Sequence, residues 1–258
     1  MRRELVLLWL AAMLSGAVAM AATPKLSGVQ VEPSELNQLQ PGTTLPVALR
    51  KTLRAGKTPV GTAVTALTTQ RVPVGPKAWM HHGAQLSGVV TASSNQGGVA
   101  MLTIRFDELH YRGQTIPVKV DALAVASNME VNQTGLPANG SSDRENSNPA
   151  SWTTAQVGGD EVYRSGWQGP MCDDLMRTVG FADFNGVYMN PPAHGGPDFP
   201  LAMGPFSTSA RGLYGYDEGD RLNSADGMIR IEGPFGKVEL RDGDNLLLRV
   251  IASAKNPV

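Results

Sequence analysis

The residue types that most often carry out chemistry in proteins are few and scattered in this chain. It has four histidines and one cysteine, namely His81, His82, His110, His194 and Cys172. Adjacent histidines in a strand point to opposite faces, so the first two are poorly placed to share a metal ion. A loop that brought His194 beside Cys172 would create a thiol–imidazole pair, but a lone cysteine is more often a small buried hydrophobic residue. We therefore interpret the histidines as surface or turn residues and assign no metal.

Three acidic segments are the other candidates for a ligand site. They are Asp173-Asp174, Asp217-Glu218-Gly219-Asp220 and Asp242-Gly243-Asp244-Asn245. The last one lacks the distal glutamate of an EF-hand loop and lies between two predicted strands, so it is typical of a turn. A weak calcium site at 217–226 remains the minor alternative. Neither a Gly-x-Ser-x-Gly motif nor an Asp-Ser/Thr-Gly triplet occurs, so we assign no catalytic residue and no cofactor, and expect that the protein is not an enzyme.

Residues 1–21 have the composition of a secretory signal peptide. Arg2 and Arg3 precede an apolar segment that begins at Leu5, and small-x-small cleavage sites follow at 17–19 and 19–21. The apolar run is shorter than the ~20 residues that a spanning helix needs, although an uncleaved anchor is the alternative. We therefore expect an exported protein that is periplasmic or associated with the outer membrane.

The charge and cysteine content of the exported part exclude other classes of protein. The whole chain has 22 basic and 23 acidic residues, and removal of residues 1–21 leaves 20 and 22. This balance argues against nucleic acid as a partner, because binding nucleic acid requires a basic surface. One cysteine cannot form an internal disulfide, so stability must come from a hydrophobic core.

Alternating apolar residues predict β-strands on both sides of a long central segment. After a polar tether at 22–40, alternation is found at several places within 41–126, for example at Leu45, Val47 and Leu49. Two further alternating segments, at 101–107 and 116–122, flank a glycine-containing turn and predict a hairpin. Gly88, inside the strand predicted at 83–90, indicates a bulge or a close backbone approach. Strand alternation returns at 226–258.

The central segment is expected to contain no regular structure. Residues 127–159 are rich in Asn, Ser, Gly and Pro and predict a flexible polar linker. Residues 160–225 are rich in Gly, Pro and aromatic residues, which predicts an irregular insertion with at most a short helix at 172–181. The aromatic residues either pack the insertion onto the strands, which we favour, or contact a partner. The possible partner contacts are Tyr163, Trp167, Phe181, Phe184 and Tyr188.

The order of the glycine-led strands resembles the strand order of a known protein family. Gly42-Thr43 and Gly61-Thr62 each begin a strand, Gly-Ala-Gln-Leu-Ser-Gly follows at 83–88, Arg105 lies in the next strand, and 242–250 resembles a closing strand. This pattern is similar to the barrel domain of TrbI-type conjugation proteins, the envelope scaffold of type IV secretion systems. The resemblance covers about 41–126 and 226–255. The apolar helix pair that forms the family's channel has no counterpart in 128–225.

The resemblance implies a fold and a class of function. The fold would be all-β, a closed antiparallel β-barrel with a long irregular insertion, and 226–258 would supply its closing strands. The function would be that of a structural or interaction module of the bacterial envelope, with envelope proteins or a second copy of the chain as partners and with membrane contact only through them. The alternative is a secreted β domain that binds a ligand or hydrolyses a substrate.

Overall fold

The computed structural model describes residues 29–30, 36, 38–134, 152–159, 161–164, 168–234 and 236–252. The predicted signal peptide, most of the tether and Trp167 lie outside these residues. The described chain is all-β, with one short helix, α1 (Asn128–Gln133). The strands are β1 (Val29–Gln30), β2 (Thr44–Leu49), β3 (Leu53–Arg54), β4 (Ala63–Thr68), β5 (Val72–Pro73), β6 (Ala78–Met80), β7 (Gln85–Gln96), β8 (Val99–Tyr111), β9 (Gln114–Pro117), β10 (Lys119–Ala126), β11 (Trp152–Ala155), β12 (Glu161–Arg164), β13 (Gly169–Cys172), β14 (Thr178–Asp183), β15 (Gly186–Met189), β16 (Leu201–Ala202), β17 (Gly212–Tyr214), β18 (Arg221–Ala225), β19 (Met228–Gly233), β20 (Glu239–Leu240) and β21 (Asn245–Ala252).

The main sheet has ten strands and brings the early strand β2 beside the C-terminal strand β21. Its order is β17-β10-β21-β2-β4-β7-β8-β19-β18, with β9 paired to β8. The sheet is mixed, because β10 and β17 are parallel while the other pairs are antiparallel. The C-terminal strand β21 lies between β10 and β2, so the predicted pairing of this strand with strands before residue 126 is confirmed.

Side chains join β10 to the β18–β19 hairpin across the sheet. The amide of Ala122 donates to Ser224 Oγ at 2.8 Å, and the amide of Gly227 donates to Asp121 Oδ1 at 2.9 Å. At the other end of β10, only Val118 separates it from β9, and the Val118 amide donates to the Asp107 carbonyl at 2.9 Å. Among the described strands no backbone ladder joins β10 to β18.

The strand prediction at 83–90 is confirmed together with its glycine. Gly88 lies in β7 at a shift of register relative to β8. A Cβ atom at this position would overlap the carbonyl oxygen of Arg105 on β8. Only glycine permits so close an approach of the two backbones. The hairpin predicted within 101–122 is also confirmed, since β8 and β9 pair around the turn at Arg112 and Gly113.

The prediction of an irregular insertion at 160–225 is wrong in part, because strands β12 to β18 lie within it. Strands β11 to β16 form a six-stranded antiparallel sheet in which each strand pairs with the next. No helix forms at 172–181, because the side chain of Asp173 accepts from the amides of Leu175 and Arg177 and stabilises a turn. Within the segment predicted as a flexible linker, 127–159, α1 and β11 are ordered elements, and 135–151 lie outside the described residues.

Two hydrophobic cores follow from this arrangement. The larger core contains the alternating residues of the main sheet, among them Leu45, Leu102 and Leu248. The smaller core lies between the opposite face of β10 and β21 and the six-stranded sheet, and Leu247 and Met189 belong to it. β2 is buried along nearly its whole length, and even its polar Thr44 is buried and donates to the Ala202 carbonyl at 2.7 Å.

Within the described residues, no helix has the length and apolar composition needed to cross a membrane.

Candidate interaction surface

The aromatic residues singled out as possible partner contacts fall into different environments. The side chain of Tyr188 on β15 is fully buried, whereas Phe184, in the turn between β14 and β15, is 87% exposed. Phe181 on β14 is partly buried and packs against the larger core. The backbone of Tyr163 pairs with Cys172, but its side chain and the whole of Trp167 lie outside what the structure describes.

Phe181 and Tyr188 pack the six-stranded sheet onto the rest of the protein. Their rings stack with centroids 4.9 Å apart, and Trp79 on β6 meets the Tyr188 ring edge-on at 5.1 Å. The guanidinium of Arg71 lies 4.3 Å from the centroid of the Trp79 ring. Tyr188, named as a possible partner contact, is not available to one, because its ring is enclosed by neighbours of its own chain. For these two residues the packing interpretation is the right one.

The Tyr188 hydroxyl is buried with the ring, and within the described part of the chain no contact to it, that of the nearby Arg71 guanidinium included, has the geometry of a hydrogen bond. Burial raises the pKa of this hydroxyl to about 12, and the neighbouring Arg71 guanidinium partly offsets the rise. A group with so high a pKa is neutral throughout the physiological range. The residue is therefore an uncharged, buried ring that contributes to packing.

Phe184 is exposed on a hairpin turn that is firmly held from one side. Arg71 binds the turn twice, through an ion pair from its guanidinium to Asp183 Oδ2 at 3.2 Å and through its amide, which donates to the Asn185 carbonyl at 3.1 Å. The other carboxylate oxygen of Asp183 accepts from the Asn185 amide at 2.7 Å. These contacts fix the residues on both sides of Phe184, so its ring projects from an ordered base.

A buried glutamine fixes the next residues of the same hairpin. Gln70 Oε1 accepts from the amides of Val187 and Gly204, both at 3.0 Å, and its Nε2 donates to the Val187 carbonyl at 2.9 Å. Gly186 has a φ of 150°, and a Cβ atom there would lie 2.5 Å from the Gln70 side chain. The glycine thus lets the strand approach the glutamine closely, and the glutamine links β14–β15 to β16.

An open cleft of about 850 Å³ lies beside Phe184. Val131 and Thr134 from the end of α1 form part of its wall, and Asp183 is the charged residue among the described residues that line it. Gln156 also lines this cleft, and its Oε1 is buried without a hydrogen-bond partner in the described part of the chain. We call Phe184 together with this cleft the Phe184 surface. It offers an exposed ring, a mainly neutral wall and one unused hydrogen-bond acceptor.

The histidines, the cysteine and the acidic residues that were candidates for chemistry, such as His110 and Asp173, have structural roles or lie apart from one another. His110 contacts Thr115 at 3.1 Å and Glu108 at 3.3 Å, and Asp173 binds Arg177. His194 and Cys172 do not form a hydrogen-bonded pair among the described residues. In the same part of the chain, no three His, Cys, Asp or Glu side chains are grouped so that they could hold a metal ion.

Asp244 is a buried carboxylate whose function is to hold a turn. Its Oδ2 accepts from the Tyr216 hydroxyl at 2.8 Å and from the Arg241 amide at 2.7 Å, and its Oδ1 accepts from the Asn128 amide at 3.1 Å. Burial, followed by the nearby Asp244 carboxylate, raises the pKa of the Tyr216 hydroxyl above its usual range. The predicted turn at 242–245 is confirmed, since the Asp244 amide donates to the Arg241 carbonyl and Gly243 has a φ of 88°.

Sequence reasoning singled out Phe184 but missed Gln70 and Arg71, which hold the hairpin that carries it. Gln70 and Arg71 follow β4 in a short polar stretch that is indistinguishable from an exposed turn. Nothing in one sequence marks a glutamine that will be buried against a segment 117 positions later.

Comparison with known proteins found no similar protein. No family model matches the chain, and neither the curated proteins nor the solved structures include a significant match.

Proposed function

We propose that this chain is an exported structural and interaction module of the bacterial cell envelope, similar in role to the TrbI-type scaffold barrel. The order of its glycine-led strands supports this class of protein. We also propose that the antiparallel strands of its main sheet close into a barrel. Support comes from the pairing of β8 with β9, which is followed after one residue by β10, and from the pairings that lead from β10 through β21, β2, β4 and β7 back to β8.

The single observation that carries the proposal of an interaction role is the exposure of Phe184. A phenylalanine that is 87% exposed loses the stabilisation that burial would give it. Scattered exposed hydrophobic residues are ordinary, but this one lies on a turn held by the Asp183–Arg71 ion pair and by Gln70. An aromatic side chain on a fixed base loses little conformational freedom when it is bound, which is what a binding anchor requires.

The partner is an envelope protein or a second copy of the chain. The described wall of the cleft is mostly uncharged and includes Val131 and Val187, so a charged or nucleic-acid partner is not favoured. The unused acceptor on Gln156 suits a partner that offers an N–H or O–H donor. Membrane contact would arise only through such a partner.

The test compares two variants in the native host. Phe184→Ala removes the anchor, and Leu175→Ala, at a residue 65% exposed in the turn before β14, is the matched control. We expect the wild-type protein to be recovered from the envelope fraction in a complex, and Phe184→Ala to lose about tenfold of that association while Leu175→Ala does not. Recovery of wild type as a monomer, or equal recovery of both variants in the complex, would contradict the proposal.

A further inference from the structure

A second cleft, of about 530 Å³, lies between the two large sheets. Thr44, Leu123 and Arg249 contribute to it from β2, β10 and β21, and Val179 and Leu201 contribute from β14 and β16. Its size falls within the ~300–1,000 Å³ that small-molecule sites occupy, and a junction between two packed units is where such sites are often found. This second cleft has no lining residue in common with the Phe184 surface.

A glycine- and proline-rich loop closes one side of the second cleft. Pro192, Gly196 and Pro197 line it, and Pro197 packs so closely on Gly42 that a Cβ atom there would lie 2.9 Å from its Cδ. Gly42 has a φ of 90°, and its amide donates to the Val250 carbonyl at 2.7 Å. The Gly-Thr turn before β2 thus gives the loop room to form a wall, so the cleft is built by the fold.

The charged residues that line the second cleft have one sign. Arg211 and Arg249 line it, and no carboxylate is present among its described lining residues. Asp121 lies opposite Arg249 on the neighbouring strand, but among the described residues no ion pair joins the two side chains, and the carboxylate accepts instead from the Gly227 amide at 2.9 Å and from Ser224 Oγ at 3.4 Å. Arg211 is held by the carbonyls of Ala210 and Thr208, neither of which neutralises it. An anionic group in the cleft would complement both arginines.

The floor of the same cleft is apolar. Leu123, Val179, Leu201 and Met203 line it, and all four pack in or against the smaller hydrophobic core. A ligand that fits both the two arginines and this apolar floor carries one anionic head and an apolar body. We propose that the second cleft binds a small anionic amphiphile, of which a fatty acid is the simplest example, with its carboxylate at Arg211 and Arg249 and its chain on this floor.

The test measures binding of three ten-carbon probes to the protein purified from its host, by calorimetry below the micellar concentration. Decanoate has the anionic head, decanol is neutral, and decylammonium is cationic. We expect decanoate to bind at least tenfold more tightly than either of the others, because only it gains charge-assisted hydrogen bonds from the arginines. Absence of decanoate binding, or equal affinity for the three probes, would overturn the proposal.

Variants locate the binding site. Arg249→Gln and Arg211→Gln each remove one charge at the cleft, and Arg50→Gln removes the charge of an exposed arginine that lines neither cleft. We expect either cleft variant to weaken decanoate binding by about tenfold and the control to leave it unchanged. An equal loss in all three would show that net charge alone attracts the probe and would overturn the assignment. Phe184→Ala should not alter decanoate affinity, which separates this inference from the proposed partner surface.

Discussion

Substitution of Tyr188 tests how the six-stranded sheet is attached to the rest of the protein. Its ring is fully buried between Phe181 and Trp79. Removal of a large buried aromatic ring leaves a cavity and abolishes its contacts, which costs about 3–5 kcal/mol. We expect Tyr188→Ala to lower the free energy of unfolding by this amount.

Tyr188→Phe separates the contribution of the ring from that of the hydroxyl. The hydroxyl is buried and has no partner among the described residues, so burying it is unfavourable. Removal of the hydroxyl should leave the free energy of unfolding within ~1 kcal/mol of the wild-type value, or should increase it.

Urea unfolding curves, followed by tryptophan fluorescence and circular dichroism, measure both effects. Phe184→Ala is the control, because loss of a side chain that is 87% exposed should change stability by less than ~0.5 kcal/mol. Equal losses from Tyr188→Ala and Phe184→Ala would refute the packing role. A loss of ~2 kcal/mol or more from Tyr188→Phe would show that the hydroxyl has a partner after all.

Three further predictions concern pH and two local contacts. The pKa of Tyr188 is raised from 10.0 to about 12, so between these pH values the unfolded chain releases a proton that the folded chain retains. Stability should therefore fall as pH rises from about 10 to 12, and urea unfolding of Tyr188→Phe should show a shallower fall. Gly88→Ala forces a Cβ atom against the Arg105 carbonyl and should lower the free energy of unfolding by ~2 kcal/mol or more. A melting temperature equal to that of wild type would contradict the close approach of the two backbones. Asp244→Ala removes the acceptor of three hydrogen bonds and should lower the free energy of unfolding, measured in urea, by ~2–4 kcal/mol. Tyr216→Phe removes only one of these bonds and should lower it by less. A larger loss from Tyr216→Phe would contradict the role given to the carboxylate.

Most strands of the main sheet could be predicted because they have one face on the larger core, whereas β17 and β18 lie within the segment predicted to be irregular. In β8, for example, Leu102, Ile104 and Phe106 are buried while Arg105 is exposed, and the sequence shows this alternation directly. The roles of Gly88 and of the turn at 242–245 could also be predicted, since glycine and aspartate have specific local conformations.

The six-stranded sheet could not be predicted because its strands are short and lack simple alternation. In β14 the buried positions are Gly180 and Ala182, and a Cβ atom at Gly180 would overlap the Tyr188 carbonyl. Small residues at buried positions give no hydrophobic periodicity. The burial of such a strand depends on a neighbouring backbone that approaches it closely.

The candidate surface could be predicted only in part. The aromatic composition indicated a set of residues that included both Tyr188 and Phe184, but the sequence could not distinguish the buried ring from the exposed one. That difference depends on Gln70 and Arg71, which fix the hairpin from a distant part of the chain.

Site-specific crosslinking in living cells tests the proposed interaction role most directly. A photoreactive phenylalanine analogue would replace Phe184 in one version of the chain and Leu175 in another, both exposed positions in turns of the six-stranded sheet. We predict that irradiation yields a defined adduct with an envelope protein, or with a second copy of the chain, from position 184 and not from position 175. The absence of an adduct at position 184, or the same adducts from both positions, would contradict the proposal that Phe184 anchors a partner.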